Sequence, residues 1–286
     1  MSEINIVDFQ YIYYKYINML RIGRLRQLSF EDMDTTMLYY PIKEIEGFSK
    51  NGRIPTCVCF DSKADKKEMN TEYKSQRKST LTSNDFDTIL RIKNILQTVG
   101  YYTYKVEGYE ADDLVASLVK KLHDEYDVIH VYSVDKDLLQ LVDDKVKVHL
   151  FRARHGYCEV NKDNFGSLTE DLFKIHIPFN LVKAYKCLVG DSSDNIKGVK
   201  GFGGSAFQKW LFHNSMEYEK CNDDEYLKEL FMRTLSPEQF EDAINALEMV
   251  SFREVETYHP IGSFERAGRV PDRNYYAEYG MTSFLK

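Results

Sequence analysis

The sequence predicts an α/β fold with a central, mostly parallel sheet flanked by helices. Short apolar runs rich in β-branched residues alternate along the chain with longer segments of helical spacing, a pattern typical of βαβ units. The first two runs lead directly into Asp8 and Asp61. A third run, 128–134, follows an amphipathic helix and leads into Asp135. Since ligands bind beyond the carboxyl ends of parallel strands, these aspartates indicate a candidate site at one sheet edge.

The composition is that of an ordinary globular chain of 286 residues, 43% of them hydrophobic, without the roughly 18-residue apolar run that a membrane span needs. The N-terminus lacks the features of a signal peptide, and the five cysteines lack CxxC pairing, so a reducing cytoplasm is expected. The seven histidines show no zinc-ligand spacing. The net charge of −7 argues at first against a nucleic-acid partner. If nine of the carboxylates belonged to a metal cluster, however, the net charge of the remaining residues would be slightly positive, so DNA or RNA is not excluded.

The segment 108–140 predicts a helix, a buried strand and the start of a second helix. The buried face of the helix is predicted to comprise Leu114, Val115, Leu118, Val119 and Leu122. Carboxylates open this helix and follow the strand: Glu110, Asp112, Asp113, Asp135 and Asp137. Carboxylates gathered at one edge repel one another and favour a hard cation such as Mg²⁺, Mn²⁺ or Ca²⁺. Acidic residues in a first helical turn also complement the helix dipole without any metal, so both interpretations stay open here.

The segment 62–83 is polar and basic and lacks a core stripe. It is interpreted either as a solvated surface element or as an element over the active site that binds phosphates. Lys74 and Arg77 lie three residues apart and would share a helical face, and Tyr73 offers a surface for base stacking. A helix is then predicted over 85–98, with core positions Ile89, Leu90, Ile92, Ile95 and Leu96.

Further along, Asp191 and Asp194 follow a predicted helix and could face one site together. The next segment, GVKGFGG, reads as a glycine-rich hairpin before a helix from about Ser205. Glycines allow a close approach of the backbone to phosphate, and no GxGxxG or P-loop pattern is present, so a hairpin that holds a nucleic-acid backbone is favoured. A later helix is predicted to have Ser236 as its N-cap and Pro237 at its first position.

Taken together, these segments resemble the structure-specific 5′ nucleases. That family includes phage flap endonucleases and 5′-3′ exonucleases, viral ribonuclease H, and the 5′ nuclease domain of bacterial DNA polymerase I. The resemblance covers about two thirds of the chain, from Asp8 to Trp210, in VDF, CFD, EYKSQR, GYEADD, SVDKDLLQL and GDSSDNIKGVKGFGGSAFQKWL. It implies a PIN-like or resolvase-like nuclease core over 1–178 with a helical arch and gateway at about 62–95, a helix–hairpin–helix region over 179–240, and a C-terminal helix and tail over 241–286 packed on the core.

The resemblance also implies a role for individual residues. It assigns the first metal to Asp8, Asp61, Glu110, Asp112, Asp113 and Asp135, and the second to Asp137, Asp191 and Asp194, with Asp135 and Asp137 near both. Lys74 and Arg77 match a catalytic basic pair at the gateway. The DNA contacts would come from Tyr73, Gly198, Lys200, Gly201, Gly203, Gly204 and Lys209. Where the family often has glycine after its first aspartate, this chain has Phe9, which would alter the stacking of a terminal nucleotide.

The function so implied is two-metal hydrolysis of phosphodiesters near 5′ ends and single-strand/duplex junctions in DNA replication and repair, extended to RNA primers by ribonuclease H activity. The implied ions are two Mg²⁺, replaceable by Mn²⁺, and a K⁺ at the hairpin. Expected partners are branched or nicked DNA, 5′ flaps, RNA–DNA hybrids and replication proteins such as a polymerase, clamp or single-strand-binding protein. A monomer in the cytoplasm of a bacterial or phage-infected cell is expected, with no membrane partner.

Two alternatives stay open. A catalytically silent protein could keep the hairpin and bind DNA junctions without turnover. A metal-dependent phosphatase could use Asp135 and Asp137, although Asp8 lacks the DxD context that such an enzyme would place on its first strand.

Overall fold

The structure is a computed structural model and describes residues 2–62, 80–257 and 270–285. The chain divides into two compact units. Of the described residues, the first unit holds 2–62, 80–134, 254–257 and 270–285, and the second holds 135–253.

A parallel sheet organises the first unit, with its strands in the order β5, β4, β1, β6. The strands of this sheet in the first unit are β1 (Glu3–Asp8), β4 (Thr56–Cys59), β5 (Tyr102–Tyr104) and β6 (Val128–Ser133). A separate short antiparallel hairpin is formed by β2 (Ser29–Phe30) and β3 (Met33–Asp34). In the register of the sheet, Asp8 on β1 lies beside Cys59 on β4, and Val7 lies beside Tyr132 on β6. The carboxyl ends of these strands therefore meet at one edge, as the sequence predicts.

The helices of the first unit are α1 (Phe9–Arg21), α2 (Thr36–Phe48), α3 (Ser83–Val99), α4 (Ala111–Leu122) and two 3₁₀ helices (Arg273–Tyr279 and Thr282–Leu285). The predicted apolar face of α4 is confirmed, since all five of its positions are buried. The prediction for α3 is wrong at one position. Leu90 is 52% exposed, whereas Ile89, Ile92, Ile95 and Leu96 are buried. A helical turn of 3.6 residues carries Leu90 away from the stripe that the other four share.

The core of the first unit lies around its central strands. Ile4, Ile6, Val58, Ile129 and Val131 are fully buried. Cys57 and Cys59 are also fully buried, and burial raises the pKa of both thiols, so they are packing residues without a disulfide. Phe9 is fully buried too, with its ring centroid 4.5 Å from that of Phe60. The Phe9 ring thus faces the core, and its effect on the stacking of a terminal nucleotide stays a prediction.

A buried polar network fastens the segment 270–285 to α2. Glu46 is 2% exposed and accepts hydrogen bonds from Arg273 Nη2 at 2.7 Å and from Tyr276 Oη at 2.6 Å. Arg273 Nη2 also donates to the Phe284 carbonyl at 3.1 Å. These contacts satisfy a carboxylate that would be costly to bury alone.

The described part of the second unit consists mostly of helices, with two antiparallel strand pairs. Its elements are a 3₁₀ helix (Lys136–Leu141), β7 (Val146–Arg152), β8 (Gly156–Val160), α5 (Phe165–Phe173), α6 (Val182–Val189), β9 (Gly190–Asp191), β10 (Ile196–Lys197), α7 (Gly204–His213), a 3₁₀ helix (Tyr218–Lys220), α8 (Asp224–Thr234) and α9 (Pro237–Val250). The predicted start of α9 is confirmed, since Ser236 caps the helix and Pro237 is its first residue. Trp210 on α7 packs near Phe231 on α8 and donates from Nε1 to Thr234 Oγ1 at 3.1 Å.

None of the helices in the ranges that the structure describes combines the length and the apolar character that crossing a bilayer requires.

Candidate metal centre and hairpin

Asp8 stands at the carboxyl end of β1, in the first unit, and is fixed by two hydrogen bonds. Its Oδ1 accepts from the Gln10 backbone at 3.1 Å, so the residue also caps α1. Its Oδ2 accepts from Ser133 Oγ at 2.8 Å, at the end of the neighbouring strand β6. A carboxylate fixed in this way is presented at the sheet edge in one orientation.

Asp61 and the acidic start of α4 lie at the same edge of the first unit. Asp61 Oδ1 accepts from the Ala111 backbone at 2.7 Å, which ties the loop after β4 to the first residue of α4. Glu110 is the N-cap of α4 and forms a capping box with the fully buried Asp113. The Asp112 carboxylate accepts from the Asp113 backbone at 2.8 Å.

The acidic residues of this edge affect the pKa of the Cys59 thiol. Burial is the main cause of its raised pKa, and the charges of Cys57, Asp8 and Asp61 raise it further. Asp8 and Asp61 therefore both act on a single thiol at the sheet edge. Glu110 and Asp113 cap the start of α4, a role that needs no metal. These acidic residues are therefore also explained by stabilisation of the helix start.

A tighter carboxylate group lies within the second unit. Asp137, Asp191 and Asp194 each offer an oxygen, and these three atoms lie within 4.8 Å of one another. Asp137 and Asp194 are buried, at 7% and 3% exposure. The structure thus brings together the three residues that the family resemblance assigns to the second metal. Among the described carboxylates of the first unit, no group of three reaches this spacing, so the first-metal assignment stays a prediction.

Two backbone features assemble this group. Asp135 caps the 3₁₀ helix by accepting from the Asp137 backbone at 2.9 Å, which fixes the turn that carries Asp137. β9 and β10 form a two-stranded ribbon in which Asp191 pairs with Ile196, and Asp194 lies in the turn between these strands. A second helix is predicted from about Leu138, but the segment is a short 3₁₀ helix that begins at Lys136.

Lys186, a residue that the sequence interpretation does not include, lies in this group. It is 2% exposed, forms an ion pair with Asp137, and donates from Nζ to Asp191 Oδ2 at 2.6 Å. Burial alone would raise the pKa of Asp191, but the Lys186 charge, together with hydrogen bonds from Lys186 and Ser193, lowers it to about 2. Asp191 is therefore ionised at neutral pH. The one available signal in the sequence is a lysine in the last turn of a helix that leads into an acidic loop.

The glycine-rich hairpin lies between α6 and α7. Its first residue, Gly198, packs closely against the backbone of Gly190 at the end of α6. A Cβ on Gly198 would lie 2.4 Å from the Gly190 nitrogen, and a Cβ on Gly190 would lie 2.6 Å from the Gly198 nitrogen. Both positions therefore require glycine. Gly201 has a φ of +80°, and Gly203 is the N-cap of α7, followed by Gly204 as its first residue.

Two lysines on this hairpin and helix point to solvent. Lys200 and Lys209 are exposed, as binding to a phosphate backbone requires. The Lys200 backbone nitrogen donates to Asp242 Oδ2 of α9 at 3.3 Å. Three other predicted site residues, Tyr73, Lys74 and Arg77, lie outside the described residues, as does half of the predicted arch and gateway.

A family model for the N-terminal resolvase-like domain of 5′-3′ exonucleases matches residues 3–167, more than half of the chain. The chain belongs to the 5′-3′ exonuclease family. The resemblance and the resolvase-like fold class are therefore confirmed, and the mostly parallel sheet of the first unit is the part of the fold that presents Asp8 and Asp61.

The relatives include proteins named 5′-3′ exonuclease and proteins named DNA polymerase I. A 5′-3′ exonuclease of Mycoplasma pneumoniae is 33% identical over 187 residues, which cover 64% of this chain and 61% of the relative. The thermostable DNA polymerase I of Thermus thermophilus is 31% identical over 269 residues, covering 88% of this chain and 29% of the polymerase. The chain thus spans less than two thirds of the length of these relatives.

Solved structures share the fold. A flap endonuclease of bacteriophage T5, in a complex with DNA and metal ions, matches with a TM-score of 0.60 and 18% identity, over 87% of this chain and 86% of that chain. The catalytic core of Rad2 in complex with a DNA substrate matches with a TM-score of 0.54 and 16% identity, over 100% of this chain and 86% of that chain.

Proposed function

We propose that the chain is a divalent-metal-dependent, structure-specific 5′ nuclease that hydrolyses phosphodiesters near 5′ ends and single-strand/duplex junctions. The observation that supports this most directly is the group of Asp137, Asp191 and Asp194, whose oxygens lie within 4.8 Å of one another in a chain of the 5′-3′ exonuclease family. Relatives of this fold are described as flap endonucleases and as bound to DNA and metal ions.

The donor chemistry of the group fits a hard divalent cation. All three ligands are carboxylates, two of them are buried, and Asp191 is ionised at neutral pH. Oxygen-only, anionic sites favour Mg²⁺ and Mn²⁺ over zinc or copper. We therefore propose Mg²⁺, replaceable by Mn²⁺, at this group. In this proposal that group holds the second metal, and the first metal, also Mg²⁺, lies at the set of Asp8, Asp61, Glu110, Asp112, Asp113 and Asp135.

Such ions, when bound, would polarise the scissile phosphate and make an attacking water more acidic. The protein's own residues supply orientation. Ser133 and the Gln10 backbone hold both oxygens of Asp8, and the Ala111 backbone holds Asp61. These carboxylates are proposed to act as metal ligands. Lys74 and Arg77 are proposed to neutralise charge on the phosphate, as a point charge and a planar fork respectively.

Duplex binding is proposed for the region 179–240, whose core is the hairpin between α6 and α7. The hairpin backbone can approach a phosphate closely because of its glycines, and Lys200 and Lys209 are exposed beside it. Gly198, Gly201, Gly203 and Gly204 would form the approach surface, Tyr73 would stack on a base, and hairpin carbonyls would hold K⁺. The boundaries at 178 and 240 remain predictions.

Further proposals concern substrates and partners. Branched or nicked DNA and 5′ flaps are the proposed substrates, with RNA–DNA hybrids as an additional class. Contacts with a polymerase, clamp or single-strand-binding protein are proposed for the cytoplasm of a bacterial or phage-infected cell. The support for DNA is the DNA-bound state of the fold relatives, together with the exposed lysines of the hairpin.

The proposal is tested by cleavage of a 5′-labelled flap duplex with Mg²⁺ and with EDTA, next to Asp135→Asn. We expect cuts near the junction that need metal and are lost in the variant, while a gel shift shows that duplex binding is retained. Full activity of Asp135→Asn would refute its role as a ligand. Tight junction binding without any cleavage would favour the silent protein, and turnover of p-nitrophenyl phosphate alone would favour the phosphatase.

A further inference from the structure

A buried ammonium group lies within the carboxylate group of the second unit. Lys186 pairs with Asp137 and donates to Asp191 Oδ2 at 2.6 Å, and its side chain is 3% exposed. Asp194 completes the group, with an oxygen within 4.8 Å of oxygens on the other two. One buried ammonium group thus lies in a group of three carboxylates, two of which are buried.

Neither the ammonium group nor the carboxylates would be stable here alone. A lysine charge without partners in a buried site is strongly disfavoured, and three carboxylates at this spacing repel one another. Each sign of charge therefore keeps the other in place. A divalent cation would offset the repulsion between the carboxylates in the same way as this ammonium group, with twice the charge and shorter contacts to oxygen.

We propose that Lys186 is a positioning residue that substitutes for the second divalent cation in the metal-free protein. Its ammonium group holds Asp137 and Asp191 together, and a divalent cation binds by displacing it from these oxygens. This inference rests on the proposed function, because it takes the group to be a metal site. Metal entry at this site then competes with a tethered cation, which lowers its affinity relative to a group of three carboxylates alone.

Lys183 provides a matched control on the same helix. It is 8% exposed, and its Nζ donates to Asp224 Oδ1 and to the Asn222 carbonyl, both at 2.7 Å. It is a buried, ion-paired lysine like Lys186, one turn earlier in α6, but its carboxylate partner is not a member of the metal group. A substitution of Lys183 therefore measures the effect of losing a buried lysine charge on this helix, and a substitution of Lys186 measures the additional effect of losing the charge in the carboxylate group.

The experiment measures Mn²⁺ binding to the full chain by titration calorimetry and electron paramagnetic resonance, without DNA. Asp194→Asn identifies the binding event that belongs to this group. We expect Lys186→Met to tighten that event by roughly tenfold or more, because a competing unit charge within contact distance is removed. Lys186→Arg retains the charge and should bind Mn²⁺ like the wild type, and Lys183→Met should leave the affinity unchanged.

Thermal midpoints give a second readout. Lys186→Met should melt lower than the wild type without metal, and Mn²⁺ should raise its midpoint more than that of the wild type.

Unchanged or weaker Mn²⁺ binding by Lys186→Met would overturn the proposal, and so would failure of that variant to fold even in millimolar Mn²⁺. Folding of the variant only with Mn²⁺ would support it. A wild type that binds Mn²⁺ at this group but never cleaves a flap would refute the proposed function and leave this inference standing.

Discussion

Arg273 and Glu46 form an ion pair with an Nη2–Oε2 distance of 2.7 Å although 227 residues separate them in the chain. Glu46 is the buried member, and its side chain is 2% exposed against 32% for Arg273. Tyr276 donates to the other oxygen of the same carboxylate. The segment 270–285 therefore contributes buried side chains to the first unit and provides the counter-ion of a buried carboxylate on α2.

We expect Glu46→Gln to lower the free energy of unfolding by about 2–4 kcal/mol, because a neutral amide leaves Arg273 without its counter-ion and competes with Tyr276 as a donor. Chemical denaturation measures this change. Glu254→Gln is the control, since Glu254 pairs with Lys120 at the surface, where both side chains are more than 70% exposed. Such pairs contribute little, so an equal loss in both variants would contradict a role of the buried network.

Asp85 gives the first unit a pH-dependent contribution to stability. Burial would raise the pKa of this carboxyl, but hydrogen bonds from Thr82 and Tyr13 outweigh it, so its folded pKa lies below the usual value. A lowered folded pKa means that the stabilisation is present above the unfolded pKa of about 3.9 and is lost as the pH falls through the folded value.

Asp85→Asn should therefore lower the free energy of unfolding by about 1–3 kcal/mol at pH 7, through the cap of α3 and the bond from Tyr13 Oη at 2.9 Å. Thermal melts between pH 7 and pH 3 should show this difference shrinking below about pH 4. Asp87→Asn, at an exposed position of the same helix, should show little effect at any pH. A difference that stays constant with pH would refute the linkage.

Gly198→Ala should distort the hairpin. The new Cβ would lie within 2.6 Å of backbone atoms of Gly190, Val189 and Leu188, so the two backbones must separate. We expect a lower thermal midpoint and weaker duplex binding in a fluorescence anisotropy titration. Gly203→Ala is the matched control for stability, because its φ of −112° suits alanine and nothing lies within 4 Å of the added Cβ. Equal midpoints for both variants would show that the close approach is dispensable.

Asp242 places a carboxylate at the hairpin, where its Oδ2 accepts from the Lys200 backbone at 3.3 Å. A phosphate backbone bound there would meet this negative charge. We expect Asp242→Asn to tighten duplex binding about three- to tenfold at low salt, with a difference that disappears as salt screens the charge. Glu241→Gln removes the same charge from an exposed neighbouring position of α9. If both variants tighten binding equally, net charge explains the effect and the hairpin contact does not.

Local sequence patterns predict the parts of this fold that local physics determines. The buried face of α4 follows from the spacing of its apolar residues, and the start of α9 follows from Ser236 and Pro237, which satisfy the first backbone groups of a helix. Leu90 on α3 shows the limit, because an apolar residue next to a buried stripe can face solvent when no neighbouring element covers it.

The candidate site shows a different limit. The spacing of Asp191 and Asp194 predicts that they share a site, the family resemblance adds Asp137, and the structure brings the three together. Lys186 could not be assigned to that group from the sequence, because a lysine in the last turn of a helix usually faces water and complements the helix dipole. The pairing of Arg273 with Glu46 has no local signal at all, since it depends on how the whole unit folds.

Protein synthesis delivers β1 first, yet its neighbours in the sheet emerge much later. Asn5 lies beside Thr56 on one side and His130 on the other, so one edge of this apolar strand stays unpaired until β6 has left the ribosome. Pairing over such separations is slow, and an unpaired strand edge invites association with other chains. A nascent chain stalled before β6 would therefore be a natural client for chaperones, and the rate at which the ribosome reaches residue 133 limits how early the edge that presents Asp8 can form.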